Sequence, residues 1–262
     1  SPFRFPGAKG RLLGELLPAL IEGNPRSFAD LFVGGGAVAL AVAEALPSAE
    51  IVLNDLHPDL AAFWRVVTGG RVDELLGLVE RTAPSVELFR SVRDAYPVRD
   101  VDRAYKVLLL NRCSFSGIGA NPIGGWRQAS RYGVGCRWNG ERLAERISEC
   151  RDALAGRTTV TCEDVVDAQW AERVYLDPPY VRPGPSLYFP LSEVPLGGQG
   201  LHERLAAYLR SRDGWVLSYD EAAREFYDGW ADVREIEASY SISGAGRKGW
   251  RGNGRELIVT PR

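Results

Sequence analysis

Residues 27–36 read Ser-Phe-Ala-Asp-Leu-Phe-Val-Gly-Gly-Gly and run into a stretch of Ala, Val and Leu, Ala37–Leu46. An apolar run of strand length, a glycine turn and an apolar run of helix length open a βα unit. Strand is therefore expected over Ser27–Val33 and helix over Ala37–Leu46. Glycine in such a turn permits φ > 0 and lets backbone N–H groups approach a ligand at the helix N-terminus. A second apolar strand, Glu50–Leu53, ends in Asn54-Asp55 and completes a βαβ unit. Asp55 lies 19 residues past Gly36, close to the spacing at which an acid on the second strand holds ribose hydroxyls. A tight βα connection without a ligand would use the same glycines, so the acid is what lifts the unit above that reading. The loop is neither GxGxxG nor a Walker loop, which disfavours dinucleotides and ATP.

The second informative stretch is Asp177-Pro178-Pro179-Tyr180, directly after the strand-like Val174-Tyr175-Leu176. Two successive prolines stiffen a short loop at the C-terminal end of a strand, where open α/β sheets place their chemistry. The loop offers a carboxylate at Asp177, a carbonyl at Pro178 and an aromatic face at Tyr180. The bland alternative is a proline-rich turn that merely ends a buried strand. The chemical reading is more specific. An exocyclic amine conjugated to a nucleobase is a poor nucleophile, and two acceptors on its hydrogens would draw its lone pair out of conjugation.

The 262-residue chain is 45% hydrophobic and 25% charged, the composition of an ordinary globular protein with one domain and room for an inserted lobe. No apolar run reaches the roughly 18 residues of a membrane helix, and no signal-peptide pattern opens it. A cytoplasmic protein without a membrane or metal partner is expected. Its four cysteines have no CxxC spacing and only two histidines accompany them, so free thiols are expected. The serine start and absence of methionine suggest a processed or trimmed N-terminus.

The net charge is only −2, but its distribution is uneven. Arg112, Arg127, Arg131 and Arg137 lie in a stretch from Arg112 to Gly140 that has no acid, and so do Arg247, Lys248, Arg251 and Arg255 between Gly244 and Arg255. Gly, Asn and aromatic residues interleave with them, as in loops that reach for phosphates; soluble arginine-rich loops are the plain alternative. Between the two halves of the sheet, Leu60, Phe63, Trp64 and Val67, then Leu75, Leu76 and Val79, then Val101–Leu110 follow helical periodicity. A small helical lobe is expected there, then a hairpin with Trp126, Arg127, Arg131, Tyr132, Arg137 and Trp138, then a helix over Glu141–Leu154. Arg112, Arg127, Arg131, Arg137, Trp138, Asn139, Arg247 and Lys248 are the candidate nucleic-acid contacts. Trp126 and Trp138 would equally serve a hairpin packed on its own domain.

Asp30-Leu31-Phe32-Val33-Gly34-Gly35-Gly36 resembles the cofactor motif of S-adenosylmethionine-dependent DNA methyltransferases. The order of cofactor motif, basic insertion and Asp-Pro-Pro-Tyr looks like the Dam-type (D12 class, group alpha) adenine-N6 enzymes. Phe3-Arg4-Phe5-Pro6-Gly7-Ala8-Lys9 is similar to that family's N-terminal motif. The resemblance spans nearly the whole chain. It implies a class I, Rossmann-like methyltransferase fold that binds S-adenosylmethionine through Phe5, Lys9, Asp30, Phe32, Gly34, Gly36, Asp55, Asp164 and Asp177. Phe5 would pack near the cofactor and Lys9 would meet its carboxylate end. Asp55 would hold the ribose, and Asp164, after the strand-like Val160–Asp164, would take the adenine amine. His57 is read as a structural or capping residue. Ser116-Gly117-Ile118-Gly119-Ala120 stands where GATC-reading members carry Asn-Gly-Leu-x-Arg, so the resemblance adds Ser116 and Gly117 to the candidate DNA contacts but does not carry GATC over as the target.

The expected architecture is a mostly parallel seven-stranded sheet with helices on both faces, closed by strands at Trp215–Leu217, Val233–Ile236 and Leu257–Thr260. Residues 1–58 and 156–262 would form the catalytic domain and residues 59–155 the target-recognition lobe. The expected reaction moves a methyl group to adenine N6 in double-stranded DNA. The base is flipped out, with Asp177, Pro178, Pro179 and Tyr180 at the catalytic loop. N4-cytosine methylation, with Ser commonly at the position of Asp177, and protein glutamine methylation, with Asn there, are the neighbouring chemistries. A silent nucleic-acid-binding module on the same fold is the alternative from another class. A cognate restriction endonuclease stays open as a partner.

Overall fold

The computed structural model describes residues 1–5, 9–181, 200–239 and 253–262. Seven strands, β1 (Ser27–Asp30), β2 (Glu50–Asn54), β3 (Thr158–Thr161), β4 (Arg173–Leu176), β5 (Trp215–Asp220), β6 (Ala231–Ser239) and β7 (Asn253–Pro261), form one sheet in the order β3-β2-β1-β4-β5-β7-β6. β3, β2, β1, β4 and β5 run parallel to one another, and β7 is antiparallel to both β5 and β6. This is the mostly parallel sheet expected from the sequence. The order reverses between β1 and β4, and a crevice opens beyond the carboxyl ends of strands at such a point.

Side chains alternate across the strands and fill an apolar layer on each face. Phe28, Ile51, Leu53, Tyr175 and Val216 pack on one side with α1 (Leu13–Ile21), α2 (Ala37–Ala45), α3 (Pro58–Thr68) and α7 (Gly140–Leu154). Ala29, Val52, Val174, Leu176 and Leu217 pack on the other with α8 (Leu201–Leu209) and α9 (Arg224–Tyr227). The expected helical segment resolves into α3, α4 (Val72–Arg81), α5 (Val86–Asp94) and α6 (Asp100–Cys113). Its apolar face is continuous with the first layer through Phe63, Trp64, Leu75, Val101 and Leu108. His57 caps α3, its Nδ1 accepting from Asp59 N at 3.2 Å ahead of Pro58. Burial holds its imidazole down at about 4, so it stays neutral in this role. No helix among the described residues is long and apolar enough to cross a membrane.

Three sequence expectations are corrected. β1 stops at Asp30, not Val33: turns begin at Leu31, and only Leu31 N to Tyr175 O (3.1 Å) and Val33 N to Asn54 O (2.9 Å) still tie this segment to β4 and β2. β3 stops at Thr161, not Asp164. The Asn54 carboxamide intercepts the chain, accepting from Glu163 N and donating to Glu163 O, both at 3.0 Å. The hairpin is reduced to a single antiparallel bridge, Ser114↔Pro122, flanked by Phe115 N to Asn121 O and Ile123 N to Cys113 O. Left-handed backbone at Ser116, Gly117, Gly119, Gly124, Gly125 and Gln128 is incompatible with strands. The loop is instead tied by Gln128, whose Nε2 donates to Ile123 O (2.8 Å) and whose Oε1 accepts from Val134 N (2.8 Å).

Candidate active site

A cavity of about 190 Å³ occupies the crevice between the carboxyl ends of β1 and β4. Its floor is the glycine turn Gly34–Gly36, its walls carry Asp30, Phe32, Asp55 and Asp164, its mouth is the Asp177–Tyr180 loop, and Phe5 and Lys9 close it from the N-terminal arm. Every residue that the sequence marked for cofactor contact or for catalysis thus borders one space.

The turn is shaped by steric necessity. Gly36 caps α2 with φ +69, and a Cβ there would stand 2.3 Å from the Trp64 ring. Trp64 is itself fixed by donation from Nε1 to Gly34 O at 3.0 Å. Asp55 braces the same turn: Oδ2 accepts from Gly34 N (2.8 Å) and Oδ1 from His57 N (2.9 Å). Burial raises the Asp55 carboxyl to about 6, against the pull of these two backbone donors. Asp30 is fully buried, and its Oδ1 has no hydrogen-bond partner among the described residues. Burial, then the neighbouring Asp177 charge, pushes its pKa well above the usual carboxylate range. On the far wall, Asp164 Oδ1 accepts from Val166 N (3.2 Å) and pairs with Arg204 of α8 at 3.1 Å.

At the mouth, charged and polar groups from four segments converge. Lys9 Nζ lies 2.9 Å from Asp177 Oδ1 and 3.5 Å from Glu256 Oε1, and donates to Tyr180 Oη at 2.6 Å. Tyr180 Oη in turn donates to Glu256 Oε1. Ser218 Oγ donates to Asp177 Oδ1 (3.3 Å) and shares a 2.7 Å bond with Tyr175 Oη. Burial raises the Asp177 pKa above the usual carboxylate range, and the Lys9 ammonium beside it pulls against that rise. Asp177 accepts these bonds through Oδ1; Oδ2 takes none among the described residues.

Glu256, Ser218 and Trp64 were missed as site residues. Glu256 left one trace, an acid beside the apolar run Leu257-Ile258-Val259 at a position the sheet buries; its register partner is Asp220 of β5. Ser218 and Trp64 gave no signal, because their roles depend on neighbours distant in sequence.

The candidate DNA contacts are treated unequally. Arg127 and Arg131 are exposed. Arg112 is turned inward and donates twice to Arg137 O, with Nε at 3.0 Å and Nη2 at 2.5 Å. Asn139 caps α7, its Oδ1 accepting from Arg142 N at 2.9 Å, and Trp138 packs edge-on to Tyr105. Ser116 and Gly117 lie at the tip of the bridged loop, against the N-terminal arm; Asn111 Nδ2 donates to Gly117 O (2.9 Å), and its Oδ1 accepts from Arg4 N (2.8 Å). Arg247 and Lys248 fall outside the described residues.

Residues 5–242 match the family described as D12 class N6 adenine-specific DNA methyltransferase. The chain belongs to that family. It is a DNA adenine-N6 methyltransferase, which sets aside the silent module and the N4-cytosine and glutamine chemistries. The type II methyltransferase M.MjaIII of Methanocaldococcus jannaschii is 26% identical over 208 residues, 69% of each chain. The type II methyltransferase M.CviBI of Paramecium bursaria Chlorella virus NC1A is 25% identical over 250 residues, 91% of each. Among solved structures, precorrin-6y C5,15-methyltransferase from Geobacter metallireducens GS-15 aligns over 96% of this chain and 88% of its own, at 10% identity and a TM-score of 0.40. In the methyltransferase described here, the Asp-Pro-Pro-Tyr loop and the glycine turn face one another across a single cavity.

Proposed function

We propose that this cavity holds S-adenosylmethionine and that the Asp177–Tyr180 loop presents to it an adenine flipped out of duplex DNA. The residues fit the cofactor. The positive-φ glycine turn brings the N-terminus of α2 to the cavity, the buried Asp30 Oδ1 has an acceptor position to offer, and Asp55 stands where ribose hydroxyls are held. Phe5 and Phe32 would give it apolar faces, and Asp164 an acceptor for its adenine amine. When bound, S-adenosylmethionine supplies an electrophilic methyl group on a sulfonium.

The chain's own part is to make N6 nucleophilic. N6 is inaccessible in the stacked duplex, and unstacking its base costs a few kcal/mol. Stacking on Tyr180, whose hydroxyl is anchored by Lys9 and Glu256, returns roughly 1–3 kcal/mol. With Oδ1 of Asp177 engaged by Lys9 and Ser218, Oδ2 and the Pro178 carbonyl accept the two amine hydrogens. These bonds strengthen as N6 becomes tetrahedral, so they favour the transition state over the ground state. With the cofactor bound, the N6 lone pair would take the methyl carbon while the breaking carbon–sulfur bond leaves its electron pair on sulfur as the neutral thioether of S-adenosylhomocysteine, and the nitrogen, cationic once methylated, would lose its proton to solvent. Lys9 pairs with Asp177, and the family resemblance would also have it meet the cofactor carboxylate.

The observation that carries this reading is Asp177 at the mouth of a glycine-floored cavity, its Oδ1 fixed and its Oδ2 without a partner among the described residues. Its test is calorimetric titration with S-adenosylmethionine followed by transfer of a tritiated methyl group to duplex DNA; binding without transfer in Asp177→Ala is expected. The same reading places the protein in the cytoplasm with its DNA. The names of both relatives make a cognate restriction endonuclease a partner worth seeking beside its gene.

A further inference from the structure

A second cavity, of about 730 Å³, opens where the N-terminal arm meets the ends of α6 and α7. Five arginines line it, Arg4, Arg112, Arg137, Arg142 and Arg146, against two acids, Glu145 and Glu149. None of the five forms an ion pair within 4 Å among the described residues, although Glu145 and Glu149 share the helix with Arg142 and Arg146. Arg112 spends its donors on the Arg137 carbonyl. Its guanidinium is depressed to about 10, first by burial and then by the like charges of Arg4, Arg146 and Arg137. A solvated helix face closes its charges into i,i+3 and i,i+4 pairs; this cluster holds its charges apart around an open space. Mutual repulsion of this kind persists at a cost that an anion would relieve.

We propose that this groove is a substrate site that grips the sugar–phosphate backbone of the DNA beside the methylation cavity, with Arg4, Arg142 and Arg146 as its phosphate ligands and Arg112 as the buried support. The inference rests on the DNA reading given above. Two observations favour backbone over a free anion. The groove is large and open enough for a run of backbone, and it adjoins the catalytic cavity, Ser1 and Phe3 lining both. Arg4 is held in register with the recognition loop by Asn111, which binds Arg4 N and O and also Gly117 O. A backbone seated here would thus lie next to the segment that separates the two cavities.

The test compares the full-length protein with R142Q/R146Q and, separately, R4Q; Arg112 is left intact because its loss would disturb the loop. Binding of a short duplex carrying the methylated motif is titrated across potassium chloride concentrations. Each phosphate contact removed lowers the slope of log Kobs against log salt by about 0.9, so the double variant should lose nearly two units and R4Q about one. Preference for the motif over a point variant of it, and the Kd for S-adenosylmethionine, should not change. Neutral methylphosphonates placed at each phosphate in turn should reveal positions that weaken binding to the wild type and no longer matter to the double variant. Unchanged slopes in both variants would overturn the proposal. So would an identical methylphosphonate profile in wild type and variant, including the case in which inorganic phosphate alone binds the wild type by calorimetry. A wild type that methylates no duplex would instead sink the DNA reading itself.

Discussion

At Asp177, which lines the cavity, the two carboxylate oxygens have different surroundings: Oδ1 takes Lys9 and Ser218, and Oδ2 takes no hydrogen bond among the described residues. Asp177→Ala should cut methyl transfer by at least 10²–10³-fold, the usual cost of losing one preorganised partner of the transition state, while cofactor affinity changes little. Asp177→Asn should also be severely impaired, since an amide has one acceptor and a competing donor. Transfer of a tritiated methyl group to duplex DNA measures both. Asp55 makes a different prediction. A charged acceptor for ribose hydroxyls is worth about 1.5–3 kcal/mol, so Asp55→Ala should raise the Kd for S-adenosylmethionine on the order of 10–150-fold. Because burial raises the Asp55 pKa to about 6, protonation removes that acceptor as pH falls through 6, and calorimetry should find weaker cofactor binding at about pH 5 than at neutrality. Folding stability moves the other way. Between the unfolded value near 3.8 and the folded value of about 6, the native state holds a proton that the unfolded chain has lost. The contribution of Asp55 to stability therefore declines as pH rises through that window.

The elements most legible in the sequence were those with local causes. Pro58 and the His57 cap start α3, continuous apolar runs make β2 and β4, and the Asp55 spacing set the βαβ unit. Elements decided by distant partners were not legible. Asn54 reaches across to residue 163 and ends β3 early, and the basic loop trades strand pairing for Gln128 and left-handed turns. Gly117 shows how such a loop is joined to the site. Its φ is +76, and a Cβ there would stand 2.1 Å from Arg4 O, in the arm whose Phe3 and Phe5 rings stack at 5.5 Å over the glycine turn. Gly117→Ala should cost about 1–3 kcal/mol for the backbone strain alone, measured by urea denaturation. It should also weaken cofactor binding by displacing the arm. A variant with unchanged stability and cofactor affinity would show that the arm and the loop are independent.

A net charge of −2 conceals a separation of charge: carboxylates gather around the cavity between β1 and β4, and arginines line the groove beside it. Cavity residues were legible because the family motifs carry them; Glu256 and Ser218 were not, since only the antiparallel return of β7 beside β5 brings that buried acid to Lys9. For the exposed arginines the two possible roles separate in solution. If Arg127 and Arg131 touch phosphates, alanine at either should weaken all sequences equally and lower the salt slope by roughly one unit. If either reads guanine, its loss should cost about 1–3 kcal/mol at one base position and relax specificity there. With Ala120 where the family's reading arginine stands, at least one of Arg127, Arg131 and Arg137 is expected to behave in the second way. The most direct test of the central claim is nucleoside mass spectrometry of duplex DNA incubated with the protein and S-adenosylmethionine bearing an isotopically labelled methyl group. The account predicts label in N6-methyladenine for the wild type and none for Asp177→Ala; label in N4-methylcytosine, or equal N6-methyladenine from both proteins, would contradict it.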